Sequence, residues 1–137
     1  MLYRIIPERN LLIDILEGNV DLQMLKHLFF VEISDPDFIK VNRVLSDISN
    51  ADLKISVNEL SEFIQILAHD KRDINFKWAI ITDSPYPTAL SMLLKGSDSF
   101  KNIIEVFSST NAAAGFLGIN ICEADFDKSS FKKMPNV

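Results

Sequence analysis

Residues 77–82 read Lys-Trp-Ala-Ile-Ile-Thr, a run with almost no polar interruption. A strand that is apolar on both sides of its pleat needs cover on both faces, which is the condition of a central strand in a parallel sheet. Parallel neighbours need long crossovers, usually helices. The chain supplies them. Asp83-Ser84-Pro85 opens a helical stripe of Ala89, Leu90, Leu93 and Leu94 that Gly96 ends. Ile103–Phe107 is a further strand, and Ser109 caps a helix through Ala112, Ala113, Phe116 and Leu117 that stops at Gly118.

Upstream, Leu2–Ile6 and Leu11–Leu16 are apolar runs joined by Pro7-Glu8-Arg9-Asn10, a hairpin composition, and Glu17-Gly18-Asn19 reads as its end. From Asp21, Leu22, Leu25, Phe29 and Ile33 recur at helical spacing until Asp35-Pro36-Asp37. Val41–Ile48 is the third strand, and Asn50–Lys54 reads as a polar connection. Ser56-Val57-Asn58-Glu59 is a capping box before a helix carrying Val57, Leu60, Ile64 and Leu67, fraying at His69–Asp73. The sequence thus predicts an α/β fold: a mixed, mostly parallel sheet with an N-terminal β-hairpin and about four helices. Residues 1–118 read as a single domain. Residues 119–137 read as a C-terminal extension in which Ile119 and Ile121 offer one more strand, followed by a polar tail anchored by Phe126 and Phe131.

Charge narrows the partners. Fourteen Lys and Arg stand against nineteen Asp and Glu, a net charge of -5, which suits neither nucleic acid phosphates nor an anionic membrane. The excess lies in residues 1–75, with eight basic and thirteen acidic side chains. The single Cys122 forms no internal disulfide and no zinc cluster. No long apolar run and no secretory leader pattern stand out, so the expected location is cytoplasmic.

The element order resembles the STAS family, the domain of anti-sigma-factor antagonists and of sulfate-transporter cytoplasmic ends, and most of all a stand-alone bacterial branch of it. The resemblance rests on the hairpin exit Glu17-Gly18-Asn19-Val20, the segment Val44–Asp52, and Val106-Phe107-Ser108-Ser109-Thr110-Asn111-Ala112-Ala113. It implies a regulatory domain whose Asp-x-Ser serine, after the third strand, is phosphorylated by a partner kinase. Asp47-Ile48-Ser49 matches that tripeptide, while the helix cap falls later, at Ser56. Ser49, by the motif, and Ser56, at the helix cap where free amides would stabilise added charge, are therefore the two candidate phosphosites.

Other chemistry is sparse. His27 and His69 lack ligand partners at metal-binding spacing, and Asp125, Asp127 and Ser129 begin a calcium-loop pattern that Ser130 and Asn136 break. Neither a nucleophile elbow nor a phosphate loop is present. Lys128, Lys132 and Lys133 read as solvated. Ser84-Pro85-Tyr86-Pro87 stiffens the exit of the central strand, where open α/β sheets bind ligands. Asp83, Ser84 and Tyr86 would line a crevice there with Asp47 and Ser49. The expected function is a non-enzymatic regulatory domain that docks an unidentified protein through Asp47, Asp52 and the loop and helix after the third strand. The alternative is a small-ligand or lipid-binding module using the crevice. No cofactor and no metal are expected. A homodimer through an apolar helix face or the tail stays open.

Overall fold

The computed structural model describes residues 1–69 and 76–134. Strands β1 (Leu2–Ile6) and β2 (Leu11–Asp21) form the antiparallel hairpin, turning through a 3-10 segment, Pro7–Arg9, and the left-handed Asn10. Helix α1 (Leu22–Ser34) follows at once, with the Asp21 carboxylate accepting from the Met24 amide. Then come β3 (Arg43–Lys54), α2 (Val57–His69), β4 (Lys77–Ile81), α3 (Pro85–Gly96), β5 (Ile104–Phe107), α4 (Thr110–Leu117) and a short β6 (Lys132–Lys133). The sheet runs β5-β4-β3-β2-β1-β6. Its four strands from β2 to β5 are parallel, and β1 is antiparallel to both its neighbours, which is the expected mixed α/β fold with four helices. Among the described residues no helix is long and apolar enough to cross a membrane.

Alternation along the strands builds two cores. Leu12, Leu16, Val44, Ile48 and Ile80 face α1, α2 and α3. Leu11, Ile13, Leu45, Ala79 and Ile81 face α4 and the C-terminal segment. Both faces of β4 are covered, as its apolar run requires.

Two expectations need correction. The first concerns Glu17–Asp21 and Asn50–Lys54, which are strand and not turn or connection. Ile15 pairs with Asp47 but Glu17 pairs with Asn50, so Ile48 and Ser49 together oppose Leu16 in a β-bulge. The bulge shifts the phase of β3 by one residue. Val44 and Ile48 face the three-helix core before it, and Ala51 and Leu53 face that core after it. On β2, Gly18 takes φ +70° within the strand, a conformation that glycine adopts without steric cost. A pattern scan sees broken alternation at both places and ends the strands early.

The second concerns the C-terminal segment. Ile119 and Ile121 pack on the α4 side without forming a strand. Instead β6 pairs with β1, Leu2 opposite Lys133 and Tyr3 opposite Lys132. Phe131 and Met134 are buried, one in each core. Arg9 to Asp125 (2.8 Å) and Lys128 to Glu17 (3.0 Å) fasten the segment to the hairpin. The extension from 119 onward, with the polar tail that reads from Glu123, therefore packs as part of the domain as far as Met134. Residues 70–73 of the fraying reading, and Asn136, lie outside the described residues.

Candidate ligand cavity

The face covered by three helices is not filled. A cavity of about 170 Å³ lies between the sheet and α1, α2 and α3. Its wall is overwhelmingly hydrocarbon, including Leu25, Phe29, Phe63, Trp78, Leu90 and Phe100. Four lining side chains depart from that character: Asp14 on β2, Glu32 on α1, Ser46 on β3 and Ser91 on α3. All four are buried.

Local sequence explains the positions. Asp14 lies two residues from Leu12 and from Leu16, on the same side of the pleat. Glu32 follows Leu28 by four residues and Phe29 by three, so helical geometry brings it to the apolar face of α1. Ser46 lies between Val44 and Ile48 in the same register and opposes Asp14 across β2 and β3.

Burial raises the Asp14 carboxyl above the usual carboxylate range. The side chains of Glu32 and Ser46 draw it back down, and the charge of Asp47 adds to the rise. Glu32 is pushed well above the usual range, first by burial and then by the Asp14 charge beside it. Like charges in a site of low dielectric oppose each other's ionisation, so burial and proximity together favour a proton held between Asp14 and Glu32. One oxygen of each carboxyl, Asp14 Oδ1 and Glu32 Oε2, is buried without a hydrogen-bond partner. The Trp78 indole N–H donates to Ser46 Oγ at 3.0 Å, and the Ser91 hydroxyl donates to the Pro87 carbonyl at 2.8 Å.

Sequence reading did not single out this pair. The available signal was an acid in phase with an apolar stripe, once on a strand and once on a helix.

The residues that it did single out are elsewhere. The Asp47 carboxylate accepts from the Ser49 amide at 3.0 Å and from the Ser49 hydroxyl, so both residues hold the bulge. Ser49 thus lies within β3, five residues before the strand's last residue, and not at a helix N-terminus. The Asp47–Ser56 docking loop is strand as far as Lys54. Ser56 and Glu59 form the expected capping box, with Glu59 N donating to Ser56 Oγ at 3.1 Å and Ser56 N to Glu59 Oε1 at 3.0 Å. Asp52 is exposed and paired with Lys54 at 2.9 Å. Asp83 is exposed and Ser84 stands at the N-cap of α3 without a side-chain cap bond. The Tyr86 hydroxyl donates to the Ile55 carbonyl, tying α3 to the end of β3. Among the described residues no hydrogen bond or ion pair joins the side chains of Asp83 and Ser84 to those of Asp47 and Ser49. Neither does any group of three His, Cys, Asp or Glu residues stand ready for a metal.

A third buried carboxyl, Asp35, shows the contrast. Asp35 accepts from Tyr3 Oη (2.8 Å), Lys132 Nζ (2.7 Å) and the Asp37 amide (3.0 Å). Burial works to raise its pKa, but these three donors outweigh burial and hold it below the usual range. Asp35 is a satisfied clamp between β1, α1 and β6; Asp14 and Glu32 are not satisfied. No protein-family model matches the chain, and no curated protein matches it.

Proposed function

We propose that this protein is a non-enzymatic binding module for a small, largely apolar molecule held between the sheet and α1, α2 and α3. The observation that carries the reading is the hydrocarbon-walled cavity with a two-carboxyl focus and two unpartnered oxygens. A native core closes voids of this size, because lost contacts cost about 24 cal/mol for every Å³ of cavity. Buried polar atoms normally find partners, so orphaned ones beside a void call for an occupant. Volume sets the scale. An apolar cavity of about 150 Å³ takes benzene, so a void of about 170 Å³ fits a monocyclic or small bicyclic molecule and not a two-chain lipid. The crevice reading moves accordingly, from the strand ends to the helix-covered face. A regulatory role, which the STAS resemblance implies, fits the same arrangement. The helices that line the cavity carry Phe30, Val57, Met92 and Leu93 on their outer surfaces, where a partner would sense occupancy.

The test is thermal unfolding with benzene, toluene and indole at millimolar concentration. A bound probe should raise the melting temperature by several degrees, since saturation at 100 times Kd adds about 2.7 kcal/mol. Leu94→Phe, which narrows the void, should reduce that rise. Equal curves with and without every probe would dismiss the reading.

A further inference from the structure

The wall of the cavity has used up its donors. The Trp78 N–H is spent on Ser46, the Ser91 hydroxyl on Pro87, and the Ser46 hydroxyl faces the Asp14 carboxylate. The proton shared by the two acids lies between them. What is left facing the void is acceptor only: Asp14 Oδ1 and Glu32 Oε2. No Lys, Arg or His lines the cavity, and neither acid belongs to any of the ion pairs among the described residues. A further charge acting on Asp14 is that of Asp47, which has the same sign. A pair that retains one proton carries one negative charge with no counter-ion, in surroundings where an unpaired charge is costly.

Resting on the binding role above, we propose that the occupant is an apolar primary or secondary amine, its ammonium donating to Asp14 Oδ1 and Glu32 Oε2 while its hydrocarbon body fills the space against Phe29, Phe63 and Phe100. An ammonium offers several donors and the missing positive charge in one compact group. A carbonyl or carboxylate head would meet acceptors only. An alcohol would satisfy one oxygen and leave the charge uncompensated.

Titration calorimetry on the full chain at pH 7.5, with benzylamine, benzyl alcohol, toluene and benzoate, separates these heads on one ring. Benzylamine should bind at least tenfold more tightly than benzyl alcohol or toluene, and benzoate should not bind detectably. The double variant Asp14→Asn/Glu32→Gln, which removes the charge of the pair, or Asp14→Asn alone if the double variant does not fold, should reduce the preference for benzylamine over toluene at least tenfold. If toluene or benzyl alcohol binds as tightly as benzylamine, the amine is overturned and the cavity role stands. An unchanged preference in the folded variant overturns it too. If no member of the series binds, both fail.

Discussion

Glu32 occupies a position where the stripe of α1 calls for a leucine, and burial and the Asp14 charge push its carboxyl well above the usual carboxylate range. In the native state both acids have raised pKa values. The folded chain then keeps protons that the unfolded chain releases. Stability from this source is complete below the ordinary carboxylate pKa of about 4 and is lost as pH climbs through the raised folded-state values. Asp35 and Asp125 act in the other direction, because their lowered values add stability that disappears as pH falls through them. Glu32→Gln should therefore flatten the neutral-side decline. Urea midpoints measured from pH 5 to pH 8 should show wild type losing about 1–3 kcal/mol relative to the variant. A parallel pair of curves would show that Glu32 ionises freely. Ser49 gives a second expectation at this scale. Its amide and hydroxyl are both held by Asp47 at the bulge, so Ser49→Asp sets two carboxylates together and removes one hydrogen bond. The loss should be about 1–2 kcal/mol in chemical denaturation, whether or not a partner is present. Glu32 left a signal in the sequence, an acid in phase with an apolar stripe, but the place of Ser49 left none. Asp47-Ile48-Ser49 matched a motif in residue type, but its meaning depended on a pairing register that is visible only across two strands.

At the level of elements, the helices were the readable part. The Ser56–Glu59 box, the Ser109 cap and the glycine after Leu117 are local signals, and each operates as local chemistry predicts. The strands were readable where an apolar run is unbroken, as in β1 and β4. They were lost where Gly18 and the bulge interrupt it, since the ladder that carries β2 and β3 onward is non-local. The sixth strand was unreadable for a similar reason. Two lysines have no strand propensity of their own and pair only because Phe131 and Met134 anchor them on either side of the sheet. Phe131→Ala should therefore cost about 3–5 kcal/mol, the range for a buried aromatic. It should also speed hydrogen exchange at the β1 amides. A loss of less than 1 kcal/mol would mean that the C-terminal segment is only laid against the sheet.

The whole molecule is one sheet between unequal covers, three helices on one side and α4 with the C-terminal segment on the other. The covers share strands but not side chains. Leu12, 1% exposed, belongs to the first core, and Leu117, 2% exposed, to the second. Each change to Ala should cost about 2–5 kcal/mol, and the double variant should equal their sum to within about 0.5 kcal/mol. A larger departure in denaturant midpoints would show the sheet passing strain from one cover to the other.

The void on the three-helix side gives the two covers different compressibility. Unfolding erases empty volume, and about 170 Å³ per molecule corresponds to roughly 100 mL/mol, the upper end of the volume changes seen when small proteins unfold under hydrostatic pressure. Compression should therefore loosen α1, α2 and α3 before it disturbs α4. A molecule lodged in that space would make the protein markedly harder to crush.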